Sequence, residues 1–214
     1  MFRRFLISLA VLLALAIAAD VALRKAAEGQ MASRLRDAID LGNEPDVEIG
    51  GWPFLVNLVK GRFPSLTVTG NDLESRGLTL SEVRLDLLRV RFSIAGLSSG
   101  RGALRAARGR GTAKLLEEDL NRALQRRGAD VTVTIDGDVL VLRSQATGAE
   151  VEVRPTIRGR TMSFGSLPVV GPVSFELPTV VGGLVYESVE AVDGELRLGL
   201  NLKKVSLDLS GRSR

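Results

Sequence analysis

Through most of this chain, apolar residues return at every second position. In GLTLSEVRLDLLRVRF the residues Leu78, Leu80, Val83, Leu85 and Leu87 fall to one side, the spacing of a strand with one dry face. The period slips by one between Leu80 and Val83, which predicts a β-bulge or a turn near Ser81. The closing GELRLGLNLKKVSLDLSG repeats the pattern through Leu196, Leu198, Leu200, Leu202, Val205, Leu207 and Leu209, with a slip at Lys203-Lys204. Shorter strands are predicted for VEI at 47–49 and SLTVTG at 65–70. VTVTIDGDVLVLRS reads as a hairpin with Asp-Gly at its tip, and EVEVRPTIRGRTMSFG supplies two more short stretches. Pro168, Pro172 and Pro178 interrupt the apolar run that follows, so no regular central strand is expected there.

Two segments carry the helical period instead. Over 21–39 the residues Leu23, Ala27, Met31, Leu35 and Ile39 are spaced by four, and Gly42, Asn43 and Pro45 close the segment. Around Leu116, Leu120 and Leu124 a second amphipathic helix is expected, with Glu117, Glu118 and Asp119 at its N-terminal end and Arg126 and Arg127 at its C-terminal end. Thr112 is its expected cap and Gly128 its stop. The preceding GRGALRAARGRG, small and arginine-rich, reads as an exposed edge strand or loop. Two helices serving about eight to ten strands disfavour parallel βαβ units. The fold class is therefore α+β, an antiparallel sheet with helices on one face, in one domain over 20–214.

Residues 1–19 stand apart. MFRRFLISLAVLLALAIAAD begins with Arg3 and Arg4 and continues as an apolar run broken only by Ser8. Two readings fit: a signal peptide, with Ala16 and Ala18 giving the small-x-small spacing, or an uncleaved membrane anchor. Asp20, Arg24 and Lys25 make a poor far end for a span. Either way the remainder is delivered outside the cytoplasm, to the periplasm or cell envelope.

Composition narrows the chemistry. The 214 residues contain no cysteine and no histidine, which excludes disulfides, thiolate catalysis, His-based triads and Cys- or His-based metal sites. Net charge is +4, part of it in the leader, so nucleic acid is not an expected partner. IDGD lacks the further oxygen ligands of a calcium loop and reads as a turn; GRGALRAARGRG lacks the ending of a phosphate loop. The carboxylate pairs Glu117/Glu118 and Asp136/Asp138 read as helix-dipole partners and turn formers. No cofactor, metal or catalytic residue is expected, and a carboxylate-dependent glycosidase is the enzyme reading that composition leaves open.

The dry face of the sheet must be covered. Aromatics are only 4% of the chain, and the predicted helical stripes are narrow. A Leu/Val-lined sheet curved around such helices either packs as an ordinary core or leaves an elongated apolar groove beside the helix. An acyl chain suits such a groove, each buried methylene contributing about 0.8 kcal/mol.

The segment VEIGGWPFLVNLVKGRFPSLTVTGNDL bears on that choice. Its strand at 47–49, Gly51-Trp52-Pro53-Phe54-Leu55, Gly61 and the Val/Thr strand at 66–69 resemble the signature region of the LmeA-like family of actinobacterial envelope proteins. GTAKLLEEDLNRAL, IDGDVLVL and DGELRLGL are similar to later parts of its pattern, so the resemblance covers essentially the whole mature chain. It implies a TULIP-like fold, a long curved antiparallel sheet wrapped around amphipathic helices with an elongated apolar groove. It also implies binding of phospholipid or a related acyl lipid, and a role in cell-envelope lipid or lipoglycan assembly. Within that frame Pro53 suits the first turn of a short helix, with Phe54, Leu55, Leu58 and Val59 on one face and Trp52 before it. Together with Phe63 these are the expected lipid-binding residues, set as a wedge at the groove's end or mouth; a small lid with no ligand contact is the alternative. Arg101, Arg105, Arg108 and Arg110 are candidate headgroup contacts, or a charged edge that discourages aggregation. The expected partners are an acyl lipid and a membrane surface. The alternative function is an envelope assembly factor that docks on a lipid-linked glycosyltransferase without carrying lipid.

Overall fold

The computed structural model describes residues 2–39, 43–75, 77–92, 103–167, 171–178 and 182–208. The period-two segments are strands, and four run 14 residues each: β2 (Arg62–Ser75), β3 (Leu78–Arg91), β4 (Ala103–Leu116) and β12 (Glu195–Asp208). At about 3.3 Å per residue each reaches roughly 45 Å. With β1 (Asp46–Ile49) and β11 (Leu184–Val192) they form a six-stranded antiparallel sheet in the order β1-β2-β3-β4-β12-β11. Two three-stranded sheets accompany it. One is β5 (Val131–Asp136), β6 (Val139–Ser144) and β7 (Glu150–Val153); the other has the order β10-β9-β8, from β8 (Thr156–Arg158), β9 (Thr161–Leu167) and β10 (Gly171–Glu176). Pro172 lies in the edge strand β10, where the pairing shifts between Pro172 and Ser174, as a residue without an N–H requires. The β5–β6 turn falls at Gly137 and Asp138, and Asp138 accepts a hydrogen bond from Arg154 at 2.9 Å.

The apolar N-terminal run and the first amphipathic segment are one helix, α1 (Phe2–Ile39). Residues 2–19 are exposed along their whole length, whereas Ala27, Met31 and Leu35 are buried. Leu23, expected on the same stripe, is 45% exposed, because packing against the body is only starting at that turn. The side chain of Ile39 lies outside what is described.

The GRGALRAARGRG segment overturns its sequence reading. From Ala103 onward it lies in β4, a central strand paired with β3 on one side and β12 on the other. Its inward positions hold Leu104, Ala106, Gly109, Gly111, Ala113 and Leu115, and its arginines point outward. Small inward residues had masked the alternation. Thr112 is likewise not a helix cap. β4 continues to Leu116, paired with Glu195, and α3 (Glu117–Arg126) starts directly after it, with the Glu117 N–H bonded to the Gly194 carbonyl at 3.1 Å. Leu120, Ala123 and Leu124 of α3 are buried. Glu117 accepts from the Ile135 N–H at 2.8 Å, and Asn121 makes hydrogen bonds of 2.7 and 2.8 Å with the Val133 backbone, so α3 pins β5.

Near Ser81 the inward pattern does slip, from Leu80 to Val83. It is not a one-sided bulge: β2 slips opposite it at Asp72, φ 53°, and the β2–β3 register is the same on either side. A second matched break crosses four strands. Pairing skips one position between Phe63 and Ser65, Leu88 and Val90, Ala106 and Arg108, and Lys203 and Val205, with the register unchanged. Each strand there spends three residues, not two, between inward side chains. The slip read at Lys203-Lys204 is one quarter of this sheet-wide bend.

Candidate functional site

The inner face of the six-stranded sheet is an elongated apolar trough, built from alternation and packed tightly over glycine. Gly109 sits between Leu87 and Leu202, and Gly111 between Leu85 and Leu200, in register. A Cβ on Gly109 would meet Leu87 Cδ2 at 2.6 Å, and one on Gly111 would meet the Arg84 carbonyl oxygen at 2.6 Å and Leu85 Cδ2 at 2.7 Å. Leucines of β3 therefore lean over the bare centre of β4. This face is covered along its length: Leu66, Leu80, Leu115, Leu196, Leu198 and Leu202 have no measurable exposure.

One end of the trough is closed by α2 (Phe54–Lys60). Phe54 is fully buried, its ring 5.6 Å from Phe63, which stacks on Phe92 at 4.5 Å and 9°. Much of the chain's sparse aromatic content is thus spent at this end. Pro53 holds the N-cap position and has no side chain that could cap. Gly61, left-handed at φ 60°, ends the helix, a conformation that favours glycine. Upstream, a Cβ on Gly51 would lie 2.6 Å from Pro64, and one on Gly50 would lie 2.0 Å from Ser65 Oγ, which explains the Gly-Gly before Trp52.

The missing cap comes from α1. The Asp20 carboxylate accepts the Phe54 and Leu55 N–H groups at 2.9 and 2.8 Å, serving as an N-cap from a distant segment. The amides of Leu55 and Phe54 hold its carboxyl below its ordinary pKa. One turn on, Arg24 donates to the Gly51 carbonyl at 2.7 Å; another turn on, Glu28 accepts from the Ile49 N–H at 2.9 Å and pairs with Lys25 at 3.0 Å. Glu28 in turn raises the Lys25 pKa. Asp20, Arg24 and Glu28 form a polar ladder joining α1 to α2 and β1. Sequence reasoning missed it, taking Asp20 only as a poor membrane residue, although the spacing of four beside the apolar stripe was the available signal.

The expected lipid-binding residues divide. Phe54 and Phe63 are buried together, Leu55 and Leu58 are half-buried, and Trp52 and Val59 face outward, 73% and 88% exposed. Val59 is therefore not on one face with Phe54 and Leu58: those two are four apart, and Val59 follows a further 100° around the helix. Val56 joins Trp52 and Val59 among the exposed apolar residues of this end. Of the candidate headgroup contacts, Arg101 lies outside the described residues. Arg105, Arg108 and Arg110 are exposed on β4 but not gathered. Arg110 lines a cleft of about 290 Å³ with Asp86 and Glu187, whereas Arg105 lines another of about 450 Å³ with Arg89, Arg91 and Lys204.

Fold and site together define an α+β protein of TULIP-like architecture, in which a long antiparallel sheet turns its apolar face onto helices. The sequence profile of the LmeA-like phospholipid-binding family matches residues 18–214, nearly the whole chain, and the protein belongs to that family. Comparison with curated proteins and with solved structures returns no match. The match begins just before Asp20, where α1 starts to bond to the body.

Proposed function

We propose that the protein is a non-enzymatic carrier that holds the acyl chains of a phospholipid along the inner face of the six-stranded sheet, outside the cytoplasm, in support of cell-envelope lipid or lipoglycan assembly. One observation carries this reading: an apolar trough running the length of four 14-residue strands in a chain of a phospholipid-binding family. The trough is covered here, so a lipid enters by displacing a covering element. α2 is the element suited to move. It is seven residues long, it closes one end, and it is held by Phe54 and by hydrogen bonds from another segment. In this reading Phe54, Phe63, Leu55 and Leu58 meet the acyl chains, while Trp52 and Val59 stand at the mouth. Residues 2–19, a helical stretch apolar enough to cross a membrane, serve as the anchor or export segment.

Mass spectrometry of lipids retained by the purified full chain tests the proposal. An acyl lipid in stoichiometric amount, with a shift of Trp52 emission when phospholipid is added, is expected. A lipid-free preparation that captures a membrane glycosyltransferase would instead favour the docking factor without cargo.

A further inference from the structure

The sheet-wide bend has a second side. Where β2, β3, β4 and β12 break step, outward side chains gather around a cleft of about 450 Å³, lined by Arg89, Arg91, Arg105 and Lys204 over a floor that includes Ala107 and Val205. Arg89 and Lys204 hold left-handed backbone, φ 54° and 51°, a conformation that is uncommon outside glycine and gathers at functional positions. None of the four cations has an ion pair or side-chain hydrogen bond among the described residues. Elsewhere on the same outer face several cations are paired: Lys114 with Glu82 at 2.8 Å, Arg84 with Asp86 at 3.6 Å and Arg197 with Glu195 at 2.6 Å. At the bend the four unpaired cations share one cleft, whereas Arg110, also without an ion pair among the described residues, faces Asp86 and Glu187 across another. The four do not guard an open edge, since β3, β4 and β12 are interior strands.

Position names the counterion. The row Arg62–Arg91–Arg105–Ser206 continues the sheet beside Phe63. Phe63 packs on Phe54 of α2, and α2 hangs from Asp20 of α1. Asp20 is where the exposed apolar run 2–19 leaves the body. The cleft therefore lies at the end of the sheet from which the membrane-length helix extends, the end that also exposes Trp52, Val56 and Val59.

We propose that this cleft seats phosphate groups of anionic phospholipids at the bilayer surface, a docking contact separate from the apolar inner face. It rests on the reading of residues 2–19 as membrane-borne, and not on whether the trough carries lipid. Juxtamembrane cations of this kind strengthen contact with an anionic leaflet about fivefold each, and salt weakens them.

The test uses the full chain in nanodiscs of phosphatidylcholine alone or of phosphatidylcholine with phosphatidylglycerol. Phenylglyoxal modification of each arginine is followed by peptide mass spectrometry. Modification of Arg89, Arg91 and Arg105 is expected to slow several-fold in the anionic discs and to recover at high salt, while exposed Arg158, on a small sheet, is unaffected. Replacing Lys204 by Glu should reduce the protection of the three arginines. Equal rates in both discs would overturn the proposal. So would equal protection by inorganic phosphate added to phosphatidylcholine discs, which would make the cleft a free-phosphate site. Lipid retained in the trough is measured separately on the same protein, so failure of one result leaves the other standing.

Discussion

Replacing Phe63 and Phe92 by leucine, singly and together, probes how the end of the trough is held. Phe63 is 2% exposed and touches both other rings, Phe92 stacked at 4.5 Å and Phe54 tilted at 5.6 Å. Leucine keeps the site apolar and removes the ring contacts. Each aromatic pair contributes about 0.5–1.5 kcal/mol beyond its buried area, so Phe63→Leu forfeits two such terms, about 1–3 kcal/mol. In a chain of this size that lowers Tm by roughly 2–12 °C. Phe92→Leu forfeits one. Urea unfolding of the full chain in mild detergent, followed by circular dichroism, gives all four corners of the cycle. The double variant should be less destabilised than the sum of the singles by about 0.5–1.5 kcal/mol, the stack being lost only once. A cycle of Phe63→Leu with Phe164→Leu, whose ring meets Phe175 at 5.7 Å, should be additive within about 0.5 kcal/mol. A coupling indistinguishable from zero between Phe63 and Phe92 would refute the view that stacked rings close this end.

Two further outcomes follow from the same geometry. Gly111→Ala puts a Cβ 2.6 Å from the Arg84 carbonyl oxygen, so it should destabilise by about 1–3 kcal/mol through overpacking, measured by thermal unfolding, where an ordinary strand glycine would gain from alanine. Asp20 has a depressed carboxyl pKa in the folded chain, so its contribution is present above the ordinary value of 3.8 and is lost as pH falls through the depressed one. Hydrogen exchange at Phe54 and Leu55 should accelerate on that acid limb in the native chain, and Asp20→Asn should exchange faster at neutral pH with the limb flattened.

Much of the strand content was legible because alternation is local: one dry face imposes a period of two on whichever strand carries it. The closing strand and the Asp-Gly hairpin read directly, as did the slips at Ser81 and Lys203-Lys204. β4 failed the same test, because its inward positions at 106, 109, 111 and 113 are alanine or glycine. Their fitness lies in the leucines of neighbouring strands, which a single segment does not contain. The α2 segment was recognised, and Phe54, Leu55 and Leu58 of its predicted face are buried or half-buried; only Val59 was misplaced, since about two turns of helix leave the edge of the face to Phe63 and Phe92 beyond it.

The sequence by itself determined the α+β class, the apolar segment 2–19, the absence of thiol and imidazole chemistry, and the family. Only the tertiary structure decided that Asp20 caps a helix more than thirty positions away, that the arginine-rich segment lies in mid-sheet, and that four separate slips form one bend. The reason is physical. Period and composition act between neighbours along the chain, whereas caps, registers and unpaired charges are set by groups that meet only once the sheet has closed.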